Sequence, residues 1–190
     1  MVTERDFVII RYNKERDTSA EYFAVQKILH RHSSLHIKDA LEPEMERLKM
    51  EFLSEFAFME YLLFLLDENF RSMKWDVSKI ELSGREALLA GIYDETIRKT
   101  LAEKTIEIKT YVERKVEAGE ITGLSFSTNK VEYPKANLYV QSFVLKNNDI
   151  VLAGFVKDIP SMKDLEIRTN YSVLVAEMLN MSAFIDEFKK

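Results

Sequence analysis

A segment near the middle of the chain, in which polar and β-branched residues alternate, limits the choice of fold most. Residues 105–112, TIEIKTYV, have six β-branched or aromatic residues in eight positions, as is typical of a β-strand. In a strand, Ile106 and Ile108 would face the interior of the domain. Glu107 and Lys109 would then project together from the opposite face. The sequence therefore predicts a half-buried strand that presents an acidic and a basic side chain side by side.

A single long helix over residues 83–118 is the alternative interpretation of this region. A capping-box pattern begins at Ser83, and apolar residues follow at helical spacing. Against the helix, Gly91 in its interior would cost ~1 kcal/mol relative to Ala. We therefore predict two strands, over residues 87–96 and 105–112, which a polar loop connects.

The remaining sequence alternates between helical and strand patterns. We predict helices over residues 18–32, 44–73, 112–118, 135–146 and 161–190, and strands over residues 7–12 and 150–156. A capping box at Thr18 would begin the first helix, Pro43 would precede the second, and Gly119 would end the third. A strand remains open for residues 135–146, because Asn147 and Asn148 could close a hairpin to the strand that follows.

The composition fits one globular domain and excludes several kinds of site. The 190 residues are 46% hydrophobic and contain no cysteine. The absence of cysteine excludes a disulfide framework, a thiol nucleophile, a zinc finger and a cysteine-bound iron–sulfur cluster. The sequence also has no glycine-rich phosphate loop and no Gly-x-Ser-x-Gly motif.

Charge and hydropathy leave a nucleic-acid partner open. The net charge is −5, but a nuclease that holds metal ions at carboxylates can be acidic overall. The longest apolar stretch, residues 56–66, is too short to span a bilayer, and no secretory signal begins the sequence. We therefore expect a cytoplasmic protein that does not contact a membrane.

Three residues of the two predicted strands could form a site. Asp94 lies near the end of the first strand, where a hairpin would bring it beside Glu107 and Lys109. Two carboxylates are hard oxygen ligands that suit Mg²⁺ or Mn²⁺, and a nearby lysine can orient an attacking water. The alternative is a solvated helix face on which the same charges pair with neighbours.

At these residues the sequence resembles a nuclease family. Gly91-x-x-Asp94 and Glu107-x-Lys109, followed by Gln141 in YVQSF, resemble the motifs of the PD-(D/E)XK nuclease superfamily. The similar branch is the RecB-type one, which includes the CRISPR-associated exonucleases, and the resemblance covers about residues 80–158. It implies an α/β fold of the restriction-endonuclease-like class, with a small mixed sheet flanked by helices.

The resemblance also implies an activity and a role for each residue. It implies Mg²⁺- or Mn²⁺-dependent hydrolysis of phosphodiester bonds in DNA, single-stranded or at ends. Asp94 and Glu107 would bind the metal ion, with the Ile108 carbonyl as an extra ligand, and Lys109 would position the water. Gln141, on the predicted helix 135–146, would position Lys109 or the DNA strand. The DNA strand would be guided by three further residues, Lys130, Tyr133 and Lys135.

The sequence departs from the family pattern in three ways. Members often have a tyrosine four residues after the glutamine, where this chain has Leu145. The chain also lacks the cysteines of the iron–sulfur members, and it has no histidine on the helix before Asp94. The further metal ligand is therefore open among Glu51, Glu55, Glu60 and the histidines of residues 30–36.

We expect one domain, with a mostly helical part over residues 1–80, a nuclease core over 81–160 and a C-terminal helix over 161–190. Two other functions remain open. The chain could be a helical assembly subunit that associates through residues 56–66 or through the apolar seam of residues 171–188. It could also be a DNA-binding protein with an inactive nuclease fold.

Overall fold

The computed structural model describes residues 1–31, 38–66, 106–128, 138–157 and 171–184. The described part is mixed α/β, with two helices and two sheets. Its helices and strands, in chain order, are β1 (Val8–Ile10), α1 (Lys14–Arg31), α2 (Lys38–Leu66), β2 (Ile106–Val116), β3 (Ser125–Thr128), β4 (Leu138–Leu145), β5 (Ile150–Lys157) and β6 (Tyr171–Leu174). The coarse fold class predicted from the sequence is therefore confirmed.

The main sheet has four described strands in the order β1-β5-β4-β2. β5 is antiparallel to both β1 and β4, whereas β2 runs parallel to β4. β3 and β6 form a separate two-stranded antiparallel sheet. Because β1 comes from the helical N-terminal part and pairs with β5, that part shares the main sheet with the later strands.

The main sheet is covered on both faces. On one face α2 packs against the alternate residues of β2, β4 and β5; this core includes Phe56, Met59, Leu62, Val140, Leu152 and Phe155. On the other face the sheet packs against β3 and the short helical turns around it; this core includes Phe126, Tyr139, Phe143, Val151, Val175 and Met178. Burial on both faces explains why residues 150–156 are apolar without alternation, and the predicted strand there is confirmed.

Both predicted N-terminal helices exist, but they begin earlier than expected. The side chain of Asn13 caps α1 by accepting hydrogen bonds from the backbone N–H groups of Glu15 and Arg16, at 2.8 and 3.2 Å. Thr18 lies inside the helix, where its hydroxyl donates to the Lys14 carbonyl at 2.9 Å. Pro43 also lies within its helix, α2, rather than before it. The predicted end of α2, beyond Leu66, lies outside the described residues.

Two shorter helix predictions are wrong. Residues 112–118 continue β2 as far as Val116, and Gly119 lies in a 3₁₀ turn, Ala118–Gly123. Residues 138–145 form strand β4, which was the alternative that the sequence left open. The hairpin to β5 turns at Asn148, whose φ of 65° is the left-handed conformation that asparagine tolerates.

The predicted C-terminal helix is also wrong over its described part. Residues 171–174 form β6, and two 3₁₀ turns follow, Val175–Glu177 and Met181–Ala183. The seam of residues 171–188 is therefore not a continuous helical stripe. In residues 56–66, likewise, Phe56, Met59 and Leu62 are buried in the core of this chain. Among the described side chains of these two segments, Met178 and Met181 are also buried in this chain, whereas Phe64 and Leu174 are exposed.

Neither α1 nor α2, the helices among the described residues, has the length and hydropathy that crossing a membrane requires.

Candidate functional site

Strand β2 presents Glu107 and Lys109 on one face, as predicted. The Lys109 ammonium contacts the Glu107 carboxylate, with Nζ 2.6 Å from Oε1. The two side chains are about one-third exposed, at 31% for Glu107 and 34% for Lys109. Ile106 and Ile108 point the other way and pack against the core that contains α2. The strand thus combines an inner apolar face with an outer ion pair that solvent can reach.

Gln141 lies beside Lys109 on the neighbouring strand. In the parallel pairing of β2 with β4, Lys109 is in register with Gln141 and Glu107 with Tyr139. Residues in register point to the same face of a sheet, so the amide and the ammonium are neighbours. Gln141 is 4% exposed, and its Nε2 donates to the Ser142 carbonyl at 3.1 Å. The prediction that Gln141 lies on a helix is wrong, because residues 138–145 form a strand.

The pairing of β4 with β5 is irregular at Gln141. Gln141 pairs with Gly154, whereas the next residue, Ser142, pairs with Leu152, so β5 has one extra residue at this point. Such bulges change the local direction of a strand and are frequent next to active sites. On the opposite face, the Ser142 hydroxyl donates to the Ser54 hydroxyl of α2 at 2.7 Å, which connects β4 to the helix.

Aromatic side chains border the ion pair, and sequence reasoning did not single them out. Tyr139, in register with Glu107, is buried and packs edge-on against Phe126 of β3, with 6.0 Å between ring centroids. Tyr111 follows Lys109 on the same face and lies 5.7 Å from the Phe143 ring. The strand alternation that placed Glu107 and Lys109 together also predicts Tyr111 on their face, so this signal was present in the sequence.

The Tyr111 hydroxyl donates to the Glu113 carboxylate at 2.8 Å. This hydrogen bond to a carboxylate raises the pKa of Tyr111, with smaller contributions from burial and from the charge of Glu113. Tyr111 is therefore a neutral, half-buried ring at neutral pH.

Several predicted site residues cannot be compared with the structure. Asp94 lies outside the described residues, so its distance from Glu107 stays a prediction. The three residues predicted to guide DNA, Lys130, Tyr133 and Lys135, also lie outside them. The Ile108 carbonyl belongs to β2, and its role as a metal ligand is untested.

The glutamates of α2 are separated from Glu107 by the sheet. α2 packs on the face of β2 that carries Ile106 and Ile108, whereas Glu107 is on the opposite face. Glu51 forms an ion pair with Arg47 at 2.7 Å, and Glu60 forms one with the buried Arg16 at 2.5 Å. The further metal ligand beside Glu107 is therefore better sought outside α2.

Glu55 is the remaining α2 candidate for the further metal ligand. Burial raises the pKa of Glu55; the charge of Lys27 opposes the shift, and the charge of Glu51 adds to it. Among the predicted histidine candidates, His30 is exposed near the end of α1, and residues 32 and 36 lie outside the described part.

Among the described residues, Glu107 decides whether this site could hold a divalent metal ion. Its carboxylate is a hard oxygen donor that solvent can reach and that already contacts a cation. Within the described ranges, no three or more His, Cys, Asp or Glu side chains are grouped so that they could hold a metal ion. Glu107 is thus a suitable single donor, and the proposed second carboxylate is Asp94.

Comparison of the chain with protein-family models, with curated proteins and with solved structures found no match. The resemblance to the PD-(D/E)XK nucleases therefore depends on the motif residues alone.

Proposed function

We propose that this chain is a metal-dependent deoxyribonuclease that hydrolyses phosphodiester bonds in single-stranded DNA or at DNA ends. One observation carries the proposal: Glu107 and Lys109 project together from a half-exposed strand face, next to Gln141 on the parallel neighbouring strand. An acidic ligand, a cationic donor and an amide are thereby grouped on one face of a small mixed sheet. The parallel pairing of β2 with β4, and the packing of α2 on the opposite face, agree with a restriction-endonuclease-like fold.

Each residue has a proposed task that follows from its chemistry. Glu107 and Asp94 would hold Mg²⁺ or Mn²⁺ through carboxylate oxygens, with the Ile108 carbonyl as a further ligand. When bound, the metal ion would stabilise negative charge on the phosphate. Lys109 would hold the attacking water by donating hydrogen bonds, and it would add positive charge at the phosphate. The buried amide of Gln141 would limit the orientations open to Lys109.

The partly exposed ring of Tyr111, which borders the ion pair, suits a single strand of nucleic acid. Unpaired bases stack on aromatic side chains with little regard for sequence. Tyr111 lies about 6.6 Å along the strand from Lys109, given a rise of about 3.3 Å per residue. The position of Tyr111 next to the proposed cleavage site supports single-stranded DNA as the substrate. Action on DNA also agrees with the cytoplasmic location that the sequence predicts.

A cleavage assay tests the proposal. Labelled single- and double-stranded DNA is incubated with Mg²⁺ or Mn²⁺ and with the wild type, Asp94→Ala, Glu107→Ala or Lys109→Ala. We expect each substitution to lower the cleavage rate by about 100-fold or more, because removal of one stabilising group from an active site has effects of that order. Circular dichroism checks that the variants remain folded.

Glu113→Gln is the matched control, because Glu113 lies on the same face of β2, is exposed, and as glutamine keeps an oxygen acceptor for the Tyr111 hydroxyl. It should retain the wild-type rate. Wild-type protein that does not cut DNA would contradict the proposal, and DNA binding without cleavage would favour the inactive nuclease fold. A loss of cleavage in Glu113→Gln equal to that in Glu107→Ala would also contradict the proposed site.

A further inference from the structure

The ion pair between Glu107 and Lys109 is particular to this position on β2. The same strand carries a second Glu-x-Lys sequence, Glu113-x-Lys115, with the same spacing. There Glu113 accepts a hydrogen bond from the Tyr111 hydroxyl, and Lys115 donates to the Asn148 side chain, each at 2.8 Å. Spacing alone therefore does not bring an acid and an amine of this strand together.

Lys109 must turn back along the strand to reach its partner. Residues two apart on a strand are separated by about 6.6 Å, yet Nζ of Lys109 lies 2.6 Å from Oε1 of Glu107. Across the strand, Lys109 faces Gln141, whose Nε2 already donates to the Ser142 carbonyl. The amide oxygen of Gln141 could also accept from the ammonium, but the charged carboxylate of Glu107 is the stronger acceptor for Lys109.

We infer that Lys109 is the resident counter-ion of Glu107 and that it competes with a divalent metal ion for this carboxylate. The inference rests on the proposed function and adds a mode of regulation to that site. In the structure the Lys109 ammonium occupies the space next to Oε1 of Glu107, and a metal ion bound to that oxygen would need the same space. Displacement of Lys109 from the carboxylate would free its N–H donors, beside the same site, for a water or a phosphate oxygen. Metal binding and the release of Lys109 for its proposed task are thereby coupled.

Direct measurement of Mn²⁺ binding tests the inference without reference to cleavage. Electron paramagnetic resonance of free Mn²⁺, titrated with protein, gives the dissociation constant for each variant. We expect Lys109→Met and Lys109→Gln to bind Mn²⁺ about tenfold more tightly than the wild type, because both remove a positive charge from the vicinity of the cation. Lys109→Arg keeps the charge and should stay within about threefold of the wild type.

Lys115→Met is the matched control, since it removes the lysine of the second Glu-x-Lys sequence. It should leave both Mn²⁺ affinity and cleavage unchanged. Glu107→Gln should remove the effect of Lys109→Met when the two are combined. The use of two neutral variants, Met and Gln, separates the loss of charge from any local disturbance of the strand.

The outcomes distinguish this inference from the proposed function. Unchanged Mn²⁺ affinity in Lys109→Met and Lys109→Gln would overturn the inference and leave the nuclease standing if the wild type cuts DNA. Tighter binding in both variants, with a wild type that never cuts DNA, would support the counter-ion role and overturn the nuclease. A failure of every variant to bind Mn²⁺ would overturn both.

Discussion

At the scale of single residues, Asp149 shows how one buried carboxylate fixes the end of the main sheet. It accepts hydrogen bonds from the Tyr12 backbone N–H at 2.7 Å, from Arg11 at 2.8 Å and from the Asn147 side chain at 3.0 Å. Burial alone would raise the pKa of Asp149, but these hydrogen bonds outweigh it and lower the pKa below the ordinary value of 3.8. The charged carboxylate thus ties the end of β1 to the hairpin between β4 and β5.

We predict that Asp149→Asn lowers the free energy of unfolding by about 2 kcal/mol at pH 7, because it weakens hydrogen bonds to a charged acceptor. The folded-state pKa is depressed, so this contribution is present above pH 3.8 and disappears as the pH falls through the folded-state value. The difference between variant and wild type should therefore shrink toward pH 2. Urea unfolding at both pH values measures it.

Glu117→Gln is the control for this experiment. It removes one charge of the exposed ion pair between Glu117 and Lys146, near the same hairpin. It should leave stability unchanged at both pH values, since exposed pairs contribute little. Equal effects of Asp149→Asn at pH 7 and pH 2 would contradict the account of Asp149.

At the scale of secondary-structure elements, the sequence predicted those strands whose two faces differ or whose boundaries are clear. β2 was predictable because its inner and outer residues alternate, and this alternation also predicted the shared face of Glu107 and Lys109. β4 was misread as a helix because it is buried on both faces, which removes the alternation that marks a strand. The register of Lys109 with Gln141 was not predictable, because it depends on a parallel pairing between distant segments.

The C-terminal segment was misread for a different physical reason. Its buried residues, Val175, Met178, Met181 and Phe184, are spaced three apart along short 3₁₀ turns and extended linkers. A spacing of three residues belongs to one face of an α-helix as well as to successive 3₁₀ turns. The predicted seam therefore identified Met178 and Met181 as buried, but it also included Leu174, which is 43% exposed, and it missed Val175 and Phe184.

Packing between elements makes Gly154 a sensitive position in β5. A Cβ atom built on Gly154 would lie 2.8 Å from the Leu179 carbonyl oxygen and 3.1 Å from Cβ of Met178. We predict that Gly154→Ala lowers the free energy of unfolding by about 1–3 kcal/mol, because the crowded atoms include backbone that must shift. Gly123→Ala is the control, since a Cβ there meets no atom within 4 Å. A Gly154→Ala variant as stable as Gly123→Ala would contradict the close approach of residues 178–179 to β5.

At the scale of the whole molecule, distant parts of the chain build the core that supports the candidate site. Phe184, near the end of the described chain, packs edge-on against Phe58 of α2 and Phe155 of β5, at 5.4 and 5.2 Å between ring centroids. The hydroxyl of Tyr61 in α2 also donates to the Met181 carbonyl at 3.1 Å. The C-terminal segment is therefore part of the core between α2 and the sheet.

We predict that Phe184→Ala lowers the free energy of unfolding by about 3–5 kcal/mol, as is usual when a buried phenylalanine is truncated. Phe64→Ala is the matched control, because Phe64 in α2 is 67% exposed, and it should change stability little. Chemical denaturation followed by circular dichroism measures both. A small effect of Phe184→Ala would contradict the packing of the C-terminal segment against α2.

We propose that Glu107 shares a divalent metal ion with Asp94, and a crystal structure of the protein grown with Mn²⁺ would test this arrangement. We expect an anomalous-scattering peak about 2.1 Å from a carboxylate oxygen of each residue, with the Lys109 ammonium displaced from Glu107. A structure in which the Asp94 and Glu107 carboxylates lie too far apart to share one ion, or in which Lys109 still holds Glu107 at saturating Mn²⁺, would contradict it.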